Sequence, residues 1–276
     1  MKKRSIALLL LLALLTGCGA KTEEAPWQTA YRETGKYLQE QDTLSAGSVG
    51  GEWAVIGLSR AGLLSDEAAQ SYEQAAEDYV KQADSGRLDR LKSTENSRTI
   101  LGLTAAGYNA ADVAGVDLTS GLSDMNYLRI QGLNGPIWAL IALDCHGYDI
   151  PQCAEGGEQT TRAGLVAEIL TSQCSDGGWT LAGDTADVDM SAMALTALAA
   201  YKEDDEVKAA VDAALVYLSD AQQEDGGFIS WGEPNSESCS QVIVALTELD
   251  VSLTDSRFVK SGNTLVSRLL EFRTEN

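Results

Sequence analysis

Asp187 and Asp189 stand two positions apart, in Asp187-Val188-Asp189-Met190, at the entrance to the apolar run that ends at Leu198. A carboxylic acid that protonates an apolar substrate must be strong and desolvated, and its neighbours tune it. Carboxylates at the start of a helix have a second use. They accept backbone amide hydrogen bonds and suit the positive helix end. Glu52, Glu95 and Glu237 fall in comparable places before other apolar runs, as the second use predicts. Capping, or the lining of a pocket, is therefore the preferred reading of Asp189. Acid catalysis by Asp187 and Asp189 is the alternative. Glycoside cleavage by the pair ranks last, because residues two apart on a helix diverge.

His146 is the sole histidine, which excludes most hydrolase arrangements unless it serves. It ends Asp144-Cys145-His146. Consecutive helical residues point about 100° apart, so these three do not share a metal ion. A surface role at a helix C-terminus fits His146 better, and no metal is expected. Cys145, Cys153, Cys174 and Cys239 match no metal knuckle, and their disulfide state stays open. No phosphate-binding glycine loop follows a strand pattern.

These residues need elements to hold them. A small residue, then Leu, then Leu or Ala three further on, recurs five times, with Leu at 58, 103, 140, 195 and 246. The steps are 45, 37, 55 and 51 residues, the range of repeat architectures. Each copy lies in an apolar segment, and a helix apolar nearly all round is buried. Amphipathic segments lie between: Asp66 to Lys81, Thr160 to Ser172, Glu206 to Ser219, Arg257 to Phe272 and, less clearly, Trp27 to Leu38. Buried and surface helices thus alternate. The expectation is an all-α chain whose inner helices start near Glu52, Glu95, Asn134, Asp187 and Glu237, without strands. Those starts would share one mouth, where Trp53, Arg98, Asn134, Asp189, Glu237 and Gln241 are ligand-binding candidates. Cys174-Ser-Asp-Gly-Gly-Trp179 and Gln223-Glu-Asp-Gly-Gly-Phe228 repeat at a turn. Gly-Gly supplies positive φ there. The aromatic folds back on the helix just finished, and Gln173 or Gln222 bonds turn amides.

Gln173 to Trp179 and Gln222 to Phe228 resemble the QW-type repeats of squalene cyclases and prenyltransferases. Glu52-Trp53-Ala54-Val55, Thr94 to Arg98, Gln131 to Ile137 and Asp187 to Ala192 extend the match. The chain is similar to an extracellular bacterial branch of the terpenoid cyclase/protein prenyltransferase α/α-toroid superfamily. The resemblance implies a toroid of helical hairpins, which suits an interaction or ligand-binding module. It also implies an alternative, a terpene cyclase with Asp189 as general acid, since Asp187-Val188-Asp189-Met190 resembles the DxDD motif of class II cyclases. Met190 replaces the last Asp, which puts that tuning in doubt. Intrinsic factor and transcobalamin share the fold, so a cobalamin-like ligand follows by fold analogy only; no other cofactor is implied. Cys153 to Glu158 resembles the thioester loop of complement-like toroids, but with five residues of spacing instead of two, so that reading is rejected. A full toroid has six inner helices and five are recognisable. The ring is expected to be incomplete, with a gap between the helices of Trp53 and Leu246.

Residues 1–17 read as a signal peptide, with Lys2, Lys3 and Arg4 before the apolar run from Ile6 to Leu15. That run is too short to span a bilayer, which takes roughly 20 residues. Leu15-Thr16-Gly17-Cys18 resembles a lipobox, which implies lipidation at Cys18, a tether over 18–26 and a repeat domain over 27–276. The protein is then exported and anchored through lipid to the bacterial cell membrane, facing an unknown extracellular ligand or protein. Removing the signal leaves 17 bases against 41 acids, a net charge near −24. Such a surface repels nucleic acid, which is excluded as a partner. With 44% apolar residues the chain still carries enough for a core.

Overall fold

The computed structural model describes residues 25–40, 44–83, 86–230 and 232–274. The signal segment, Cys18 and the tether up to residue 24 lie outside them. The described chain is mostly helical. Its α-helices are α1 (Pro26–Gln39), α2 (Val49–Arg60), α3 (Asp66–Val80), α4 (Ser93–Ala105), α5 (Met125–Leu128), α6 (Asn134–Asp144), α7 (Arg162–Thr171), α8 (Val188–Leu198), α9 (Asp205–Ala221), α10 (Ser236–Glu248) and α11 (Leu265–Glu271). None is long and apolar enough to cross a membrane.

The five apolar segments become α2, α4, α6, α8 and α10, and each packs on the next. Two ladders of contacts show that the five run parallel. At their N-terminal ends, Arg98 Nε donates to Glu52 (3.1 Å), Thr94 N donates to Gln131 Oε1 just before α6 (3.0 Å), and Ser230 Oγ just before α10 donates to Asp189 (3.0 Å). Gly132, ahead of α6, faces Leu181, ahead of α8; a Cβ there would come within 3.1 Å of Leu181 Cδ1. At the C-terminal ends, Ser59 Oγ donates to Ala105 O (2.5 Å), Thr104 bonds the Tyr148 hydroxyl (2.8 Å), Tyr201 donates to Asp144 (2.7 Å) and Lys202 to Asp250 (2.5 Å). The core follows this row: Val55, Ile100, Ile137, Leu140, Leu195 and Leu246 are fully buried.

The surface helices α3, α7 and α9 form where the amphipathic spacing puts them. Three features differ from the sequence expectation. Between α4 and α6 the outer position is filled by a 3-10 turn (Leu118–Leu122) and the single turn α5. Arg257 to Phe272 is helical only from Leu265. Its first half folds into the hairpin β3 (Val259–Lys260) and β4 (Asn263–Thr264), because Ser261 and Gly262 take φ of +50° and +86°. Consecutive left-handed residues set the tight turn that joins two strands. A second hairpin, β1 (Ile229–Ser230) with β2 (Glu233–Pro234), precedes α10. The body therefore has strands where none were expected, each two residues long.

The Gly-Gly turns tie the layers together. Gly177 and Gly226 have φ of +94° and +85°. Trp179 is fully buried, and its Nε1 donates to Ile169 O on α7, the helix just finished (2.7 Å). Gln173 and Gln222 bond carbonyls, not amides as the sequence suggested. Gln173 Nε2 donates to Gly177 O (2.7 Å) and to Ala210 O on α9 (2.9 Å). Gln222 Nε2 donates to Gly226 O (2.8 Å) and Phe258 O (3.2 Å). An amide side chain has two donor hydrogens, and each Gln spends them on its own turn and on the next outer segment.

α1 lies across the seam of the row. Gln39 Nε2 donates to Leu63 O (2.7 Å) and Gly35 packs against Leu63, so its C-terminal half rests beside the end of α2. Arg273, just past α11, pairs with Glu33 on α1.

Candidate functional site

The sequence placed six ligand-binding candidates at the starts of the inner helices, and all six lie in the first two turns of α2, α4, α6, α8 and α10. The contacts they make are with residues outside the set. Glu52 is fully buried in the first turn of α2. It accepts from Gly47 N (2.6 Å) and from Arg98, which also donates to Glu95 (2.6 Å). Burial pushes the Glu52 carboxyl up, against the pull of Gly47 and Arg98. Trp53 is half exposed, and its ring meets Trp138 of α6 at 5.5 Å, a tilted pair across the row. Asn134 opens α6 without a side-chain capping bond. Glu237 is exposed, with its carboxyl held low by the Ser236 hydroxyl. Gln241 is half-buried on α10.

The two acids of the Asp187-Val188-Asp189 stretch have separate jobs. Asp187 is the N-cap of α8 and accepts from Met190 N (2.8 Å). Asp189 sits in the first turn, where Oδ2 accepts from Ser230; Oδ1 is buried without a partner among the described residues. Tyr217 stands nearby and donates to Ala186 O (2.8 Å). Burial, and after it the carboxylates of Asp176, Asp187 and Asp189, pushes its phenol up to about 12, so it stays a donor.

His146 is exposed beyond α6 and stacks loosely on Tyr148. Asp144 turns instead to Arg162 (2.6 Å) and Tyr201. Among the described residues no three His, Cys, Asp or Glu side chains gather as a metal site. Cys145, Cys153, Cys174 and Cys239 are free thiols. Burial raises those of Cys145, Cys174 and Cys239, which suppresses thiolate chemistry.

Two features escaped sequence reasoning. The first is a rim of exposed apolar side chains, one ahead of or opening each inner helix. Val49 opens α2, Leu91 precedes α4, Ile130 α6, Leu181 α8 and Ile229 α10. Their exposures run from 48% to 61%. The contact ladder above places them at one end. Single apolar residues at element starts and in connections carry no period, so only the fold reveals them as a set. The second is an apolar groove of about 900 Å³ between α1, α10 and α11, with Trp27, Tyr31, Ile243, Leu253, Leu270 and Phe272 in its wall. None of the six candidates lines it. Of the inner helices only α10 lines it, through Ile243.

No family model matches the chain, and neither a curated protein nor a solved structure does.

Proposed function

We propose that this chain is a lipid-anchored interaction module displayed outside the cytoplasm, built as an incomplete α/α toroid of the terpenoid cyclase/prenyltransferase type. Five parallel inner helices with α3, α7 and α9 outside them support the toroid reading, with α1 filling part of the sixth place. The lipobox-like Leu15-Thr16-Gly17-Cys18 supports the anchor. The observation that carries the binding role is the rim: five exposed apolar side chains from five separate segments, at the end where Trp53 and Glu237 are also exposed. Scattered exposed apolar residues are ordinary, but a set gathered on one face marks an interface. The partner is an extracellular ligand or protein.

A photo-crosslinking residue placed at Leu181, in cells that make the protein, tests this. It is expected to yield a discrete adduct that the same residue at Val216, exposed on α9, does not. Equal yields from both positions overturn the rim as an interface.

The cyclase reading keeps one favourable observation, the sealed Oδ1 of Asp189. It is weakened because the large apolar groove is lined by no carboxylate. Cyclised product from a polyprene, abolished by Asp189→Asn, would establish it over the interaction module.

A further inference from the structure

We propose that the groove between α1, α10 and α11 is a binding site for a long acyl chain, and that its occupant, when the protein is off the membrane, is the lipid carried by Cys18 of the same chain. This rests on the lipoprotein reading above.

The wall sets the chemistry. It is apolar almost throughout, and its polar groups are the hydroxyls of Thr34, Thr254 and Thr264 and the guanidinium of Arg273, which Glu33 engages. An extended peptide laid there would find few partners for its backbone groups, and unpaired buried amides are costly. An acyl chain has no such groups to satisfy. The volume, about 900 Å³, lies within the range of lipophilic ligand sites.

Trp27 and Tyr31 supply the α1 side of the wall yet stand half exposed, at 50% and 51%. On α1 only Gly35 is buried, so this helix lies over the seam as a loosely fitted cover. An acyl chain beneath it would cover the inner faces of both aromatic rings.

Position selects the occupant. Cys18 precedes Trp27 by nine residues. Such a stretch spans at most about 30 Å, and the groove begins at Trp27 itself. The tether residues Gly19 to Pro26 are polar and have no apolar period, so they do not compete for the groove. The strongly acidic surface keeps the body off anionic headgroups, which leaves the groove as the nearest apolar shelter for a chain withdrawn from the bilayer.

The test compares the lipidated full chain, freed of detergent, with Cys18→Ser, using a fluorescent long-chain fatty acid as probe. Mass spectrometry first establishes the lipid on Cys18. Cys18→Ser is expected to bind the probe, and the lipidated chain to bind it about tenfold more weakly because its own lipid holds the site. Ala30→Trp, which fills the groove from α1, and Leu270→Arg, which charges its far wall, should each weaken probe binding to Cys18→Ser by about tenfold. Far-UV circular dichroism on both confirms that they fold. Absence of lipid on Cys18 overturns the anchor reading and this occupant together. With lipid present, equal binding by the lipidated and Cys18→Ser chains overturns the occupant alone. No binding by Cys18→Ser, or binding that ignores both groove variants, overturns the site.

Discussion

Trp179 offers the sharpest test of how the two layers are held. Its indole is fully buried, Nε1 donates to Ile169 O on α7, and its backbone N–H donates to Ser191 Oγ on α8 (2.9 Å). One residue thus joins an outer helix to the inner helix that follows. Trp179→Ala leaves a large void, and such truncations cost about 3–5 kcal/mol. Trp179→Phe keeps a ring but removes the donor. Ile169 O also accepts from Ser172 N (3.2 Å), so it is not orphaned, and the lost bond costs about 0.5–1.5 kcal/mol. The lost ring area, roughly 50 Å², adds about 1.2 kcal/mol at ~25 cal/mol/Å². Phe should therefore cost about 2–3 kcal/mol. In a chain of this size each kcal/mol lowers Tm by about 2–4 °C, so Ala should lower it by roughly 6–20 °C. Urea unfolding followed by circular dichroism measures both, with the m-value as a check on the denatured state. If Ala costs under about 1.5 kcal/mol, or Phe matches the parent, Trp179 is not the fastener described and the void and donor arguments fail.

Two further outcomes follow from the capping and burial geometry. Asp187→Ala should lose about 1 kcal/mol while Asp187→Asn stays near the parent, because Asn caps as well as Asp; equal losses in urea unfolding would show that charge, not capping, matters there. Glu52 holds its proton more tightly in the fold than in the unfolded chain, where its ordinary value is 4.5. Its contribution is therefore fully present below that value and is lost as pH rises through the raised one. Measured against Glu52→Gln, the parent should lose relative stability as pH rises above 4.5, and a parent whose melting temperature gains on the variant's with rising pH would refute the burial argument.

Much of the architecture is legible because its signals are local. The five small-Leu segments foretell α2, α4, α6, α8 and α10, since an all-round apolar segment has one place to go. Asp187 is readable as part of a cap, although its side chain, and not that of Asp189, makes the capping bond. The hairpin at Val259–Thr264 is not readable from apolar spacing, because the left-handed pair Ser261-Gly262 overrides it. Gln131, which accepts from Thr94 N at the start of α4, escapes because nothing in the sequence ties a side chain to a backbone 37 residues away. The same holds for Trp53 with Trp138, and for the groove, which exists only once α1 and α11 have come together. Among the candidate residues, position at the helix starts follows from the sequence, whereas the neighbour each one touches depends on long-range register.

The Trp53–Trp138 pair sets how damage spreads through the molecule. A row of repeats in which each unit touches only its neighbours behaves like a one-dimensional chain, so units can melt from either end while the middle survives. The indole contact skips a unit, joining α2 directly to α6. Fraying from the first helix must then break a link to the third inner helix as well as to the second. Amides in α2, α4 and α6 should exchange with solvent as one cooperative block.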